Sequence, residues 1–202
     1  MNHYFFSYAL LVIGLFTGSN DSYAQKVNFR NSVSIVQGNK TFQFSNLFDS
    51  VKLNRDSFAI IFQSKKYNEK KKKWFATQIA AITCDSCVTT LKPGQPIEAI
   101  PFFSEGTGLA AEDFGYQNLF IDNEAHHYIT YTDQKDRRAE YISENGDYVK
   151  LRWNISLAYY NDLDVEFSKL PVNQLYLVLI NDDNLNKVAD EDEMLIVLVS
   201  FE

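Results

Sequence analysis

Oxygen-bearing side chains stand at the first, third, fifth, ninth and twelfth places of the stretch 182–193: Asp182, Asn184, Asn186, Asp190 and Glu193. Val188, at the seventh place, can add its backbone carbonyl. A hard cation such as calcium is satisfied by about six to eight oxygens at short range, and a short loop with acceptors on alternate residues can wrap one. The other groups able to do chemistry are the cysteine pair Cys84 and Cys87, the adjacent His126 and His127, and the acids Glu105, Glu112 and Asp113.

The spacing in 182–193 resembles the calcium loop of the EF-hand family. The resemblance implies side-chain ligands from Asp182, Asn184 and Asn186, a carbonyl from Val188, a direct or water-bridged contact from Asp190 and a bidentate carboxylate from Glu193. It covers twelve residues and departs from the pattern in three places: Lys187 stands where the family uses Gly, Ala189 replaces a larger apolar residue, and strand-like runs flank the loop in place of helices. Two neutral Asn ligands place the expected affinity in the class of extracellular modules, about 10⁻⁴ to 10⁻³ M. The competing reading is an empty polar turn, because Asp and Asn also suit a tight connection between buried strands.

Cys84 and Cys87 form one Cys-x-x-Cys. A disulfide pinching a local turn is the expected state, worth about 2 kcal/mol for so short a loop. Zinc would need two further ligands, for which His126 and His127 are the candidates. A thioredoxin-like dithiol wants a helix opening at the second cysteine, whereas residues 88–93 read as extended. Neighbouring histidines on a strand point to opposite faces, so at most one can join Glu105 or Asp113 in acid and base catalysis. The glycines of 104–115 do not join a strand to a helix in the phosphate-binding pattern, which excludes a nucleotide cradle of that kind.

These groups have to be positioned by strands. The flanks of the acidic loop, 173–180 and 194–201, are short apolar runs rich in β-branched residues, suited to the buried part of a sheet. Strict alternation over 148–157 puts Val149, Leu151, Trp153, Ile155 and Leu157 toward a core and Tyr148, Lys150, Arg152, Asn154 and Ser156 toward solvent. Asn145 and Gly146 supply the preceding hairpin turn. Residues 26–37 and 41–45 read as a second strand pair, 58–62 as a buried strand with 74–83 as its hairpin partner, and 116–121, 128–132 and 162–167 as further strands. The connection 65–73 carries six lysines, and Lys70, Lys71, Lys72 and Lys73 are a candidate contact for an anionic surface, weighed against a solvated hairpin tip.

The fold expected is all-β: a single antiparallel β-sandwich, Ig-like or jelly-roll-like, of roughly eight to ten strands, closed by a C-terminal hairpin with an acidic loop. Residues 5–16 form an apolar run too short to span a bilayer, followed by Ser22 and Ala24 where a signal peptidase requires small residues. A signal peptide over 1–24 and a sandwich domain over 25–202 are therefore expected. No cysteine stands at the cleavage site for a lipid anchor, so the mature chain is expected in the periplasm or outside the cell and not as an integral membrane protein. A net charge of -7 argues against a nucleic-acid partner, which would need a basic face.

The function expected is a non-catalytic binding or interaction module with a protein or glycan partner, stabilised by calcium if the loop is filled. One alternative is a secreted hydrolase acting on glycan or peptide with the acids of 104–115 and His126 or His127. Another is a structural subunit of a cell-surface assembly.

Overall fold

Alternating and continuous apolar runs organise this chain into strands, as the β propensity of its Val, Ile, Phe and Tyr residues requires. The structure is a computed structural model and describes residues 28–69, 72–75, 77–83, 85–100, 103, 119–120, 126–128, 139–160 and 163–202. The strands are β1 (Ser34–Gln37), β2 (Lys40–Gln43), β3 (Phe48–Leu53), β4 (Phe58–Glu69), β5 (Lys72–Phe75), β6 (Thr77–Ile82), β7 (Gln95–Pro96) and β8 (Leu119–Phe120). They continue with β9 (His126–Tyr128), β10 (Ala139–Asn145), β11 (Tyr148–Ile155), β12 (Leu157–Tyr160), β13 (Leu163–Glu166), β14 (Gln174–Asn181), β15 (Val188–Ala189) and β16 (Met194–Phe201). Two short α-helices, α1 (Phe29–Ser32) and α2 (Asp85–Thr89), complete the α and β elements described. Among the described residues no helix is long and apolar enough to cross a membrane.

The protein is all-β, with open and mainly antiparallel sheets. The first sheet runs β10-β11-β4-β1-β2, with β5 also pairing β4, and the second runs β3-β16-β14-β6-β9; β13-β12-β8 and β15-β7 form two smaller sheets. The exceptions to antiparallel pairing are β16 with β3 and β12 with β8. Ile35, Phe58, Ile60, Phe62, Leu151 and Trp153 of the first sheet share one apolar cluster with Val51, Ile79, Leu177, Leu179, Val197 and Val199 of the second. The second sheet is also covered on its opposite face, where Ala80, Ile82, Val178, Ile180, Met194 and Ile196 meet Val88, Leu91, Ile97, Ile100 and Phe103 of the segment after β6. Burial on both faces explains why β14 and β16 are nearly continuous apolar runs while β11, buried on one face, alternates.

Several expectations are met. The terminal hairpin pairs Ile180 with Met194 and Gln174 with Ser200. Val149, Leu151, Trp153 and Ile155 are buried. Gly38, at φ +56°, turns the chain between β1 and β2 as the polar break at 37–40 suggests.

Others are corrected. Phe29–Ser32 is helical where 26–37 reads as one strand, because Asn28 caps the turn by accepting from the Arg30 N–H and Phe29 is buried. Residues 58–62 pair with β1 and β11, and β6 crosses to the second sheet to lie between β14 and β9, so 74–83 is not a single hairpin partner. Only β5, pairing Lys66 with Phe75, returns along β4. The second hairpin turns at Gly146 and Asp147, one residue later than read, since Asn145 pairs with Tyr148. Leu157 starts a separate strand and is half-buried. Asp85–Thr89 is helical where residues 88–93 read as extended, with Val88 buried against the second sheet. Tertiary burial outweighs local β propensity there, and the sequence argument against a redox dithiol loses its basis.

Double-sided burial has a measurable consequence. Leu179 faces the cluster shared by the two sheets and Ile180 faces the other. Leu179→Ala and Ile180→Ala should each cost about 3 kcal/mol in denaturant unfolding. A cost near zero for Ile180→Ala would mean that this face of the sheet is open.

Candidate functional site

The acidic loop begins where β14 ends and finishes where β16 begins, so the pairing of Ile180 with Met194 sets the two loop ends side by side. Thr77 Oγ1 donates to Asn181 Oδ1 at 3.0 Å in a buried contact that fixes the base of the loop to β6. From above, Gly94 N–H donates to the Ala189 carbonyl at 2.8 Å and Ile97 N–H to the Lys187 carbonyl at 3.0 Å. The loop is thus held at both feet and along one flank.

Three carboxylates sink into this frame: Asp182 is 0% exposed, Glu193 1% and Asp183 8%. The Asp183 N–H donates to Glu193 Oε1 at 3.2 Å, joining the two ends of the loop. The Tyr148 hydroxyl, at the start of β11 in the first sheet, donates to Asp183 Oδ2 at 2.8 Å, and Lys65 Nζ of β4 donates to the Asp183 carbonyl at 3.3 Å. Asp182 Oδ2 accepts the Lys187 N–H at 3.2 Å. Asp182 Oδ1 and Asp183 Oδ1 are buried and receive no donor, an arrangement that disfavours charge in a low-dielectric setting. Burial accordingly raises the pKa of Asp182; backbone N–H groups of Lys187, Asn186 and Leu185 oppose the rise, and the nearby Asp190 adds to it.

The loop backbone curls so that the remaining oxygens meet its own N–H groups. Asn184 Oδ1 accepts from Asn186 N–H and Asn186 Oδ1 from Val188 N–H, each at 2.8 Å. Asp190 Oδ2 accepts from Asn184 Nδ2 at 2.9 Å and Asn186 Nδ2 at 3.0 Å, and the Val188 carbonyl accepts from Asp190 N–H at 3.1 Å. Lys187 has φ +63° and Leu185 φ +54°, so the residue standing where the EF-hand pattern uses Gly takes the left-handed conformation that Gly favours. Among the described residues no three of His, Cys, Asp or Glu converge closely enough to hold a metal by themselves. A cation here would draw its remaining oxygens from Asn184, Asn186 and the backbone. Asp182 fits that role, as a buried carboxylate with one oxygen free of donors.

Asp183, Tyr148, Lys65 and Arg30 belong to this corner and were not singled out by spacing. Arg30 Nε donates to the Met194 carbonyl at 2.8 Å and its Nη2 to the Glu191 carbonyl, anchoring α1 at the far end of the loop. The Asp182–Asp183 doublet at a strand end is the signal that could have drawn attention to Asp183. The others depend on long-range pairing that spacing cannot show.

Glu105, Glu112 and Asp113 lie outside the described residues, as do Cys84, Lys70, Lys71 and the segment 1–24. Lys72 and Lys73 lie on β5, opposite Glu69 and Asn68. Cys87 is half-buried within α2 and packs against the second apolar cluster. His126 and His127 lie on β9, opposite Ala80 and Ile79 of β6. No family model, curated protein or solved structure matches this chain.

Tyr148 gives this corner a pH dependence at the alkaline end. Burial, and next the hydrogen bond to Asp183, hold its hydroxyl well above the ordinary phenol range. The folded chain therefore keeps a proton that the unfolded chain loses near pH 10, so this contribution is complete below pH 10 and is lost as pH rises beyond it. Tyr148→Phe should cost about 1.5 kcal/mol at pH 8, and its stability difference from wild type should shrink between about pH 10 and 11.5. A difference constant across that range in denaturant melts would contradict this hydrogen bond.

Proposed function

We propose that this chain is an exported, non-catalytic binding module, built as an antiparallel β-sandwich, whose C-terminal loop takes up calcium. The observation that carries the calcium reading is the buried Asp182 carboxylate, with its Oδ1 free of donors, in a loop whose hairpin register sets Glu193 beside its first residues. The sandwich reading draws on the apolar cluster that two open sheets share. Export draws on the apolar run 5–16 and on Ser22 and Ala24, and a protein or glycan partner in the periplasm or at the cell surface is the counterpart of that location. The lysine hairpin around Lys70–Lys73 and the loop 104–115 are its proposed contacts.

One observation favours a second reading, a structural subunit of a surface assembly. Among the described residues β10 is an edge strand of its sheet, and its Tyr141 and Ile142 are 43% and 44% exposed. Such an edge can pair with another chain. Sedimentation of the purified domain distinguishes the two, since a subunit of that kind assembles in a concentration-dependent way and the binding module stays monomeric.

Calcium at about 10 mM should raise the melting temperature by a few degrees, corresponding to about 1.5 to 2.5 kcal/mol at the affinity expected for such loops. Asp182→Ala should abolish the response, whereas Lys187→Gly, which relieves a left-handed residue already present without calcium, should leave its size unchanged. Absence of any shift at millimolar calcium would end the metal reading. Export is checked separately: the N-terminal residue of protein secreted by an expressing cell should be Gln25.

A further inference from the structure

The outer face of the first sheet holds a polar cleft of about 200 Å³, lined by Asn31, Ser32, Ser34, Gln43, Gln63 and Lys150. Its origin lies in strand lengths. β4 runs on past Ile61, the partner of Ser34, but the chain before β1 turns into α1, and among the described residues 62–65 of β4 pair with β11 alone. The Ser32 hydroxyl fills the ladder position there, accepting from Gln63 N–H at 3.4 Å. Gln63 pairs with Lys150 on one side, while Ser34, opposite Ile61, pairs with Gln43 on the other, so the lining groups run diagonally across four strands.

The chemistry of the cleft is specific. Amides and hydroxyls make up most of the described lining, with Val33 as its apolar residue, Lys150 as its single charged group and no carboxylate or aromatic ring. Gln63 Oε1 is buried and has no donor. A buried acceptor of this kind calls for an O–H or N–H partner, which a bare carboxylate cannot supply and a hydroxyl can. Lys150 calls for an anion, and as a lone ammonium it matches one carboxylate better than a doubly charged phosphate, which is usually met by several cations or a fork of guanidinium donors. The scarcity of apolar wall leaves hydrogen bonds, and not hydrophobic burial, as the source of affinity.

We propose that this cleft binds a small hydroxylated carboxylate, such as an acidic sugar ring or a hydroxy acid, with its carboxylate on Lys150 and a hydroxyl donating to Gln63 Oε1 once that side chain turns its amide into the cleft. The site rests on the binding-module reading and supplies it with a ligand class; it is independent of the calcium loop. Nothing on the chain is consumed or transferred, so the proposal involves binding alone.

Amide NMR titration with sodium D-glucuronate, D-glucose and sodium acetate tests it. Glucuronate should move the amide signals of Ser32, Ser34, Gln63 and Lys150 and bind roughly tenfold more tightly than glucose or acetate, because it satisfies both groups at once. Lys150→Gln, checked for unchanged thermal unfolding, should reduce glucuronate to the level of glucose. Gln63→Leu should remove the advantage of glucuronate over acetate. Equal affinity for the three probes, retention of the preference in Lys150→Gln, or no binding at about 50 mM would each overturn the site. Glucuronate shifts confined to residues away from the cleft would also overturn it, while leaving the binding-module reading in place.

Discussion

The register of β14 against β16 is the constraint on which the remainder depends. With Ile180 opposite Met194, the twelve residues of 182–193 must return on themselves, and the Glu193 carboxylate comes to the Asp183 N–H. The same register sends Leu177 and Leu179 to one apolar cluster and Val178 and Ile180 to the other, so a slip by one position would exchange the two faces. Burial on both sides makes such a slip costly to packing twice over. The acidic corner therefore inherits its geometry from hydrophobic burial several residues away.

Polar contacts knit this corner across elements that are distant in the chain. Tyr148 and Lys65 reach Asp183 from the first sheet, and Arg30 reaches the backbone around β16 from the N-terminal helix. At the opposite end of the same hairpin Arg55 plays a comparable part, donating to the carbonyls of Leu170 and Val172 while lying over the Phe201 ring. Two arginines thus secure the ends of one central hairpin through backbone carbonyls.

Legibility in the sequence tracks the range of the interactions. The all-β class, the final hairpin and the alternating face of β11 were legible, because strand period and apolar content are local properties. The path of β6 was not. Phe58–Glu69, Lys72–Phe75 and Thr77–Ile82 look like one continuous hairpin, and only the demand of β14 for an inner neighbour takes Thr77–Ile82 to the other sheet. The helix at Asp85–Thr89 was missed because Val88 is buried by a sheet that residues 88–93 alone do not reveal. In the candidate site, spacing picked out the self-bonded set Asn184, Asn186 and Asp190, but not Asp183 and its tyrosine. The cleft at Gln63 was also hidden, since it exists only because α1 replaces a strand.

The position of β16 has a kinetic side. Residues 194–201 lie between β3 and β14, as an inner strand of a sheet whose other members are made earlier. Until Phe201 leaves the ribosome, β3 and β14 have no shared neighbour, and the apolar edge of each faces solvent or a chaperone. The segments that β16 brings together stand far apart in the sequence, and non-local pairing of that kind is slow to form.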